Sequence, residues 1–510
     1  MSEMKIHSLK SQAFHLFFGK IIAYLIISIA PIILVRLISM TQFGVYRQIL
    51  FISSVAIPLI RLRIPGSLYY FFPRKKADLS CLISQTLTLL IMASIAGSGV
   101  FVLLGFGFHL LPSGVSASYI LPVAIYLCIE TVGQLIDHIF ILDQKPKFVL
   151  IVTIADQSAR LGLLLGAALI FDSVMAMLWA LILQSVLRFS VVLIYLSGKY
   201  VIRLGLPDID LLKQQLKYIG PLAASTIVWT VGGKFDAIII SGFMSPEDFA
   251  IYSVGALGIM NAVTLLYTSL GNVCLPRFGE LAMEQNHQGI LQIWHKMIIA
   301  NAVVTIPAAV FCCALAEQFI TILFTDRYLA AATIWRINMS ALLIQMLGYG
   351  YIPTALGKTG AILVSNIVRF ALVIPVSIFM ISKFGLTGGA ISFVIGFSTE
   401  AVIQIETTRR MFQLRIAKIL PWMTIARIIF VSGVPLVFLP NLLEPGFRPL
   451  LTLMIGALAY FPVVALALII SGTVDLNEFA PQLRRYRIID FFMNLSPAKR
   501  KGTVSGDTSN

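Results

Sequence analysis

The chain has 510 residues, of which 58% are hydrophobic and 12% charged, and it carries a formal net charge of +15. Its mean hydropathy of +0.92 excludes a soluble globular domain, in which roughly 45–50% of residues are apolar. The apolar residues form continuous runs and do not alternate with polar ones, which excludes a transmembrane β-barrel. The composition therefore predicts an all-α, polytopic helical membrane protein.

The continuous apolar runs predict about fourteen transmembrane helices, because a helix needs about 20 apolar residues to cross the bilayer core. The first run follows a short polar segment and ends without a small-residue cleavage site. It is therefore predicted to be a retained helix and not a signal peptide. The predicted spans are 14–38, 43–62, 80–105, 117–142, 148–170, 174–197, 219–243, 250–274, 295–316, 331–356, 360–382, 387–408, 424–441 and 449–471.

The lysine and arginine residues favour one side of the predicted membrane. They cluster at alternate connections and in the C-terminal tail, whereas the opposite loops hold few of them beside acids such as Glu247 and Glu317. By the positive-inside rule, both termini and the connection between Gly198 and Gly220 are cytoplasmic. The basic balance thus reflects topology and contact with anionic lipid, and not nucleic-acid binding.

One motif recurs 206 residues along the chain. Segments 39–46 and 245–252 share a serine, a phenylalanine and a tyrosine at the same mutual spacing. A repeat of this kind predicts two similar six-helix halves. The predicted divisions are an N-terminal half (1–200), an amphipathic cytoplasmic connector (201–218), a C-terminal half (219–418), two additional transmembrane helices (419–471) and a cytoplasmic tail (472–510).

Charged residues inside the apolar runs are candidate functional residues, because an intramembrane charge costs roughly 2.5–3.5 kcal/mol on insertion scales. Asp156 and Arg160 are four residues apart on one helical face and can pair, either as a structural lock or as a cavity wall. Arg369, in the corresponding helix of the second half, has no acidic i−4 neighbour and is freer to meet an anion. Glu130 and Asp137 face the same way, as a proton or cation path requires, although either could instead cap a lysine.

Several chemistries have no signature in this sequence. The chain contains no Walker A loop, no HExxH, no zinc-ligand spacing and no GxSxG with plausible partners. The five cysteines lie in or beside apolar helices, as buried, reduced cysteines do. We therefore expect neither an ATP-driven pump nor an enzyme, and no cofactor or metal.

Four segments and the half-repeat carry a family resemblance. The segments are 10–12 (KSQ), 37–46 (LISMTQFGVY), 357–360 (GKTG) and 383–390 (KFGLTGGA). They resemble the Wzx-type polysaccharide flippases of the multidrug/oligosaccharidyl-lipid/polysaccharide (MOP) exporter superfamily, which also includes lipid II flippases and cation-coupled drug exporters. The resemblance implies twelve core helices in two V-shaped halves with two extra C-terminal helices. It also implies transport of an undecaprenyl-pyrophosphate-linked sugar unit across the bacterial inner membrane.

The implied partners are membrane lipids, a polysaccharide polymerase and a chain-length regulator. Basic residues outnumber acidic ones within the spans, which fits an anionic cargo. A drug exporter for organic cations would more naturally line its cavity with unpaired acids and aromatics. The alternatives are a cation-coupled multidrug exporter, a lipid II flippase or, less favoured, a polytopic sugar polymerase or ligase. Coupling to H⁺, to Na⁺ or to the substrate gradient alone stays open.

A pyrophosphate that crosses the bilayer needs cations around it, as an arginine fork or a lysine point charge. Two explanations compete for Lys234 and Asp236, which follow Gly232-Gly233. Either each meets an opposite charge on a neighbouring helix, for instance Asp236 with Lys20, or Lys234 meets the pyrophosphate while Asp236 tunes it or carries a proton. The candidate substrate-binding residues are Lys20, Arg160, Lys234 and Arg369, and the candidate ion-coupling residues are Asp236, Glu130 and Asp137.

Overall fold

The computed structural model describes residue 22 and residues 25–473, except 72–78, 108–111, 144, 203–204, 206–207, 258–259 and 443–448. All regular structure in these residues is helical. The first helices are α1 (Leu25–Leu37), α2 (Met40–Arg61), α3 (Ser67–Phe71), α4 (Leu79–Gly107), α5 (Ile120–Gly133), α6 (Leu135–Leu142), α7 (Pro146–Phe171), α8 (Val174–Lys199), α9 (Ile209–Gly232) and α10 (Phe235–Phe243). They are followed by α11 (Pro246–Leu257), α12 (Met260–Met283), α13 (His287–Ala314), α14 (Ala316–Phe324), α15 (Ala331–Gln345), α16 (Tyr351–Ala355), α17 (Thr359–Met411), α18 (Ile416–Ile419), α19 (Trp422–Leu442) and α20 (Pro449–Ile470).

Where the structure describes the chain, each predicted span coincides with one helix, with part of a long helix or with two successive helices. Residues 14–21, 23 and 24 of the first predicted span lie outside the described residues. Among the described residues, eight helical stretches are long and apolar enough to cross a membrane, and α9 with α10 forms a ninth span bent by 53°. The long helix α17 contains two predicted spans and is interrupted at Gly385, whose φ of 57° suits glycine. The all-α, polytopic membrane fold is thereby confirmed.

The chain divides into two compact units. The first comprises Met1–Gly255 and Asn366–Gly396, and the second comprises Ala256–Ser365 and Phe397–Asn510. The division passes through α17, so each unit contains part of that helix. The two predicted six-helix halves were defined by the sequence repeat, whereas these two units are defined by how compactly the residues pack. The boundaries of the predicted halves therefore stay a prediction.

The repeated motif marks the beginnings of α2 and α11. The Ser39 hydroxyl accepts a hydrogen bond from the Gln42 backbone N–H at 3.2 Å, and the Gln42 side chain accepts one from the Ser39 N–H at 2.8 Å. Ser245 and Asp248 make the same reciprocal pair at 3.1 and 3.3 Å. The recurring serine is therefore the N-cap of a capping box, which satisfies N–H groups that the first helical turn leaves unpaired.

The two copies of the motif contact each other within the first unit. Thr41 donates a hydrogen bond to Glu247, its counterpart 206 residues later in the repeat. A residue can touch its own counterpart only near the axis that relates the two copies. At the same place Gly44 packs so closely on Pro246 that an added Cβ would stand 2.0 Å from the Pro246 carbonyl oxygen. This contact requires a glycine at position 44.

The turn after α6 is anchored to the C-terminal end of α8. The Asp143 carboxylate accepts hydrogen bonds from the hydroxyls of Tyr195 at 2.6 Å and Tyr200 at 2.7 Å, and it pairs with Lys199. Burial by itself raises the pKa of Asp143, but the hydrogen bonds from Lys199 and the two tyrosines outweigh it, so the pKa lies below its usual value. This anchor holds α6 and the start of α7 against α8.

The two additional C-terminal helices are part of the packed core of the second unit. The buried Tyr460 on α20 places its hydroxyl 2.9 Å from the carbonyl oxygen of Ser432 on α19 and 3.3 Å from that of Pro307 on α13. The Tyr460 ring also lies 5.3 Å from that of Phe311, so aromatic packing and hydrogen bonding join α13, α19 and α20.

We expect Gly44→Ala to destabilise the protein, because the new methyl group must push α2 away from Pro246, and overpacking of this kind costs about 1–3 kcal/mol. Gly99→Ala is the matched control, since nothing lies within 4 Å of a Cβ at that helical position. Thermal unfolding of the purified variants in one detergent should show a lower Tm for Gly44→Ala only. Equal Tm values for the two variants would contradict the close contact.

Candidate functional site

A polar cavity of about 280 Å³ lies inside the first unit, among residues of α5, α6, α7 and α8. With the exception of Val152, every side chain that lines it is polar or charged, although the helices themselves are apolar spans. The lining residues are Glu130, Gln134, Asp137, Val152, Thr153, Asp156, Gln157, Arg160 and Arg188. Such a concentration of charge inside apolar helices makes this cavity the candidate functional site.

Arg188 on α8 is the central cation of the cavity. Its guanidinium lies 2.9 Å from the Asp137 carboxylate, 3.3 Å from Glu130 and 3.5 Å from Asp156. The side chains of Glu130 and Asp156 are 5% and 9% exposed, whereas that of Asp137 is 41% exposed. One arginine thus compensates two buried carboxylates and one that is partly open.

Neutral side chains complete the coordination of the two buried carboxylates. Glu130 accepts hydrogen bonds from Ser185 at 2.8 Å and from Gln134 at 3.0 Å. Asp156 accepts one from Gln157 at 3.0 Å and another from Gln184. Buried charges are tolerated when hydrogen bonds satisfy their remaining lone pairs. Among the described residues, no group of three His, Cys, Asp or Glu side chains could hold a metal ion.

Arg160 on α7 lines the same cavity in a different way. Within the part of the chain that the structure describes, it makes no ion pair and no side-chain hydrogen bond. Four-residue spacing allows Asp156 to pair with Arg160, but in the structure the guanidinium of Arg188 reaches Asp156 from α8. Asp156 and Arg160 both line the cavity, which was the second of the two alternatives drawn from the sequence. Arg160 is within electrostatic reach of Glu130 and Asp156 and of the Tyr46 and Tyr126 hydroxyls.

Lys234 lies at the break between α9 and α10 and contacts α2. Its ammonium group donates to the carbonyl oxygen and to the hydroxyl of Ser54, both at 2.8 Å. Pro58 stands four residues after Ser54 and has no N–H, so it cannot donate to that carbonyl as an ordinary helical residue would. Lys234 thus donates to a carbonyl that a proline leaves unpaired. This partner is neutral, whereas one of the two explanations drawn from the sequence was an opposite charge on a neighbouring helix.

Asp236 is buried on the other side of the same break. The Tyr252 hydroxyl, from the repeated motif, donates a hydrogen bond to its carboxylate, and Arg369 lies within electrostatic reach. The Arg369 side chain passes close to two glycines, Gly233 and Gly396, and only the approach to Gly396 is too tight for a larger residue. An added Cβ would stand 3.8 Å from its Nη2 at Gly233 and 3.3 Å from its Nε at Gly396. Lys234 and Asp236 point in different directions, as their two-residue spacing predicts.

The candidate residues therefore fall into two groups. Arg160, Glu130 and Asp137 meet in the cavity, whereas Lys234, Asp236 and Arg369 lie at or near the α9–α10 break. Lys20 lies outside the described residues. Arg188 and the glutamines that line the cavity were not among the candidate residues drawn from the sequence. The sequence did contain a sign of Arg188. Three acids and one arginine lie on the fourth and fifth predicted spans, so a second cation must come from a neighbouring helix such as the sixth span.

Comparison with known proteins gives a family match and a fold. The profile of the family described as "Polysaccharide biosynthesis protein" matches residues 33–333. An uncharacterized membrane protein from Methanocaldococcus jannaschii is 22% identical over 248 residues, or 48% of each protein. The chain thus spans about half the length of the curated relative that it matches.

Solved structures show the same fold at low sequence identity. The lipid II flippase MurJ, in an inward closed conformation, superposes with a TM-score of 0.65 at 14% identity, covering 90% of this chain and 98% of its own. A MOP superfamily transporter from Pyrococcus furiosus gives a TM-score of 0.50 at 13% identity, covering 80% of this chain and 95% of its own. The family match and this fold together confirm the resemblance drawn from the sequence motifs.

We expect Arg188→Met to destabilise the first unit strongly, because it leaves two buried carboxylates without a cation, and breaking a buried pair costs about 3–5 kcal/mol. Arg160→Met removes a guanidinium of equal size from the same cavity without breaking an ion pair. Thermal unfolding should therefore show a large drop in Tm for Arg188→Met and a small one for Arg160→Met. A comparable drop for both would mean that Arg160 also holds the unit together.

We expect Lys234→Met to lower stability by about 1.5–3 kcal/mol, the usual contribution of a hydrogen bond that involves a charged group. Pro58→Ala restores a helical N–H for the Ser54 carbonyl, so in that background the loss caused by Lys234→Met should shrink by at least half. The measurement is a double-mutant cycle of thermal unfolding. If the loss is the same in both backgrounds, Lys234 does not act by satisfying this carbonyl.

Proposed function

The chain belongs to the family of polysaccharide biosynthesis proteins, and we propose that it is a flippase for an undecaprenyl-pyrophosphate-linked oligosaccharide repeat unit. It moves this unit across the inner membrane by alternating access, for polysaccharide or lipopolysaccharide biosynthesis, and it is not an enzyme. Both termini are cytoplasmic in this proposal. A polysaccharide polymerase and a chain-length regulator are the proposed partners that use the product.

The observation that carries the proposal is the polar cavity among apolar helices. A sugar-pyrophosphate headgroup must cross roughly 30 Å of hydrocarbon, whereas its polyprenyl tail can stay in the lipid throughout. Charged and amide side chains inside the spans provide the hydrogen bonds that the headgroup gives up when it leaves water. A protein without a polar interior could not lower this barrier.

Arg160 is the best-supported contact for the pyrophosphate. It lines the cavity, and within the described residues no carboxylate neutralises it by an ion pair. Arginine also suits phosphate oxygens because its planar fork donates two parallel hydrogen bonds. Lys234 and Arg369 are further proposed contacts, although the Lys234 ammonium already binds Ser54 and must release it to meet a phosphate. Lys20 stays a prediction.

Ion coupling is proposed for one of three carboxylates. Asp137 is the most open of the cavity acids, so it can exchange a proton or Na⁺ with water most readily. A cation at Asp137 or at Glu130 would have to displace the Arg188 guanidinium, which lies 2.9 Å from Asp137 and 3.3 Å from Glu130. Glu130 is in addition buried and held by Ser185 and Gln134. Asp236 has Tyr252 as its hydrogen-bond partner and is the third candidate. Exchange of H⁺ or Na⁺ at Asp137 is the simplest scheme.

The decisive experiment is transport by the full chain in liposomes. Three labelled cargoes are compared: an undecaprenyl-pyrophosphate-linked saccharide, lipid II and the cationic dye ethidium. We expect the saccharide to be moved, and Arg160→Met to slow it about tenfold or more, because a hydrogen bond to a charged group is lost. Arg160→Lys should retain part of the rate as a point charge.

Arg277→Met is the matched control for this experiment. Arg277 is exposed and pairs with Glu280 three residues along its own helix, so its removal should leave the rate unchanged. Export of ethidium without movement of the saccharide would replace the proposal by a drug exporter. Movement of lipid II alone would replace it by a lipid II flippase.

A further inference from the structure

We propose that the cavity among α5, α6, α7 and α8 binds one sugar residue of the saccharide, and that Tyr69 covers the sugar ring at the cavity rim. The inference rests on the proposed function, because it names the part of the cargo that this cavity takes. It assigns the carboxylate and amide groups of the cavity to sugar hydroxyls and leaves the pyrophosphate to Arg160.

The lining of the cavity offers hydrogen-bond donors and acceptors side by side. Gln157 Oε1 and Arg188 Nε are buried without a hydrogen-bond partner among the described residues, and the Asp137 carboxylate is 41% exposed. A sugar hydroxyl donates one hydrogen bond and accepts others, so it can serve an amide oxygen and a guanidinium N–H at once. Neighbouring hydroxyls on a sugar ring extend this match over several side chains.

The charge balance of the cavity favours a neutral polyol over a bare anion. Three carboxylates face two guanidiniums, and one of these, Arg188, is already engaged by all three acids. A pyrophosphate placed among Glu130, Asp137 and Asp156 would be repelled by their charges. Hydroxyl groups carry no net charge and meet no such repulsion, so the part of the cavity away from Arg160 suits the sugar.

The size of the cavity limits what it can hold. Its volume of about 280 Å³ lies near the lower end of the roughly 300–1,000 Å³ typical of small-molecule sites. This is room for one ring with its substituents, and neither for an oligosaccharide nor for a polyprenyl chain. The cavity therefore selects a single sugar, while the other sugars and the lipid lie outside it.

An aromatic ring contacts the neighbour of a residue that lines this cavity. Tyr69, on the short helix α3, is 41% exposed, and its ring centroid lies 5.5 Å from that of His138, the neighbour of Asp137. Burial and the charge of Asp137, which lines the cavity, raise the pKa of Tyr69. The C–H face of a sugar ring is apolar and packs on an aromatic face, as a tyrosine at the rim allows.

The approach of α3 to the cavity depends on an unusual turn. Leu62 and Arg63 both have left-handed backbone conformations, with φ of 42° and 61°, which non-glycine residues seldom adopt. The turn is held by the Arg63 side chain, which donates to the Thr226 hydroxyl at 3.1 Å. Strained backbone of this kind tends to persist where it positions a functional group, here the tyrosine at the rim.

The test measures binding to the full chain in nanodiscs. The probes are undecaprenyl pyrophosphate and the same lipid carrying one N-acetylglucosamine, N-acetylgalactosamine, glucose or galactose. We expect wild type to bind at least one sugar-bearing probe about tenfold more tightly than the bare lipid. Gln157→Leu and Tyr69→Ala should each reduce this preference about fivefold and leave binding of bare undecaprenyl pyrophosphate unchanged. Tyr69→Phe keeps the ring and should keep the preference.

Each other outcome separates this inference from the flippase proposal. If wild type binds the bare lipid and all four sugar-bearing lipids equally, the cavity holds no sugar, and the flippase proposal stands alone. If Gln157→Leu and Tyr69→Ala weaken both kinds of probe equally, the cavity holds the pyrophosphate or shapes the unit, and the inference is overturned. If wild type binds no probe, the proposed function fails and this inference fails with it.

Discussion

The Arg188 guanidinium is the interaction on which the cavity of the first unit depends. It lies within 3.5 Å of the carboxylates of Glu130, Asp137 and Asp156, which come from α5, α6 and α7. Uncompensated charges in an apolar interior cost several kcal/mol each, so these helices can approach only because one fork from α8 meets all three acids. These four side chains form part of the cavity lining.

The repeated motif performs the same two tasks in each copy. Its serine caps a helix, as Ser39 does for α2 and Ser245 for α11. Its tyrosine serves a buried charge: Tyr46 lies within electrostatic reach of Arg160, and Tyr252 donates to Asp236. The contact between Thr41 and Glu247 then joins the two copies at the axis that relates them. One short pattern thus supplies the helix caps, the tyrosines near charged groups and the contact between the two copies.

Broken helices place polar groups at depth in this protein. The 53° bend between α9 and α10 frees Lys234 to reach Ser54, whose carbonyl Pro58 leaves unpaired. The two helix breakers act on the two sides of one hydrogen bond. Pro58 on α2 leaves the Ser54 carbonyl unpaired, and the break after Gly232-Gly233 positions the Lys234 ammonium that donates to it. A contact of this kind can be exchanged for another ligand more easily than a buried ion pair can. We therefore regard it as compatible with a transporter that changes conformation.

The sequence by itself determined the helices, because apolar run length, capping serines and helix breakers act within a few residues of each other. The predicted spans and the repeated serine, phenylalanine and tyrosine of 39–46 and 245–252 were visible there, whereas the capping role of the two serines and the bend after Gly232-Gly233 came from the structure. Only the tertiary structure decided which charge meets which. Four-residue spacing allows Asp156 to pair with Arg160, yet Asp156 pairs with Arg188 from another helix. Lys234 donates to the Ser54 carbonyl and not to an acid. Such pairing depends on how each helix is rotated and how deep it sits against its neighbours, and local spacing along one chain carries no record of either.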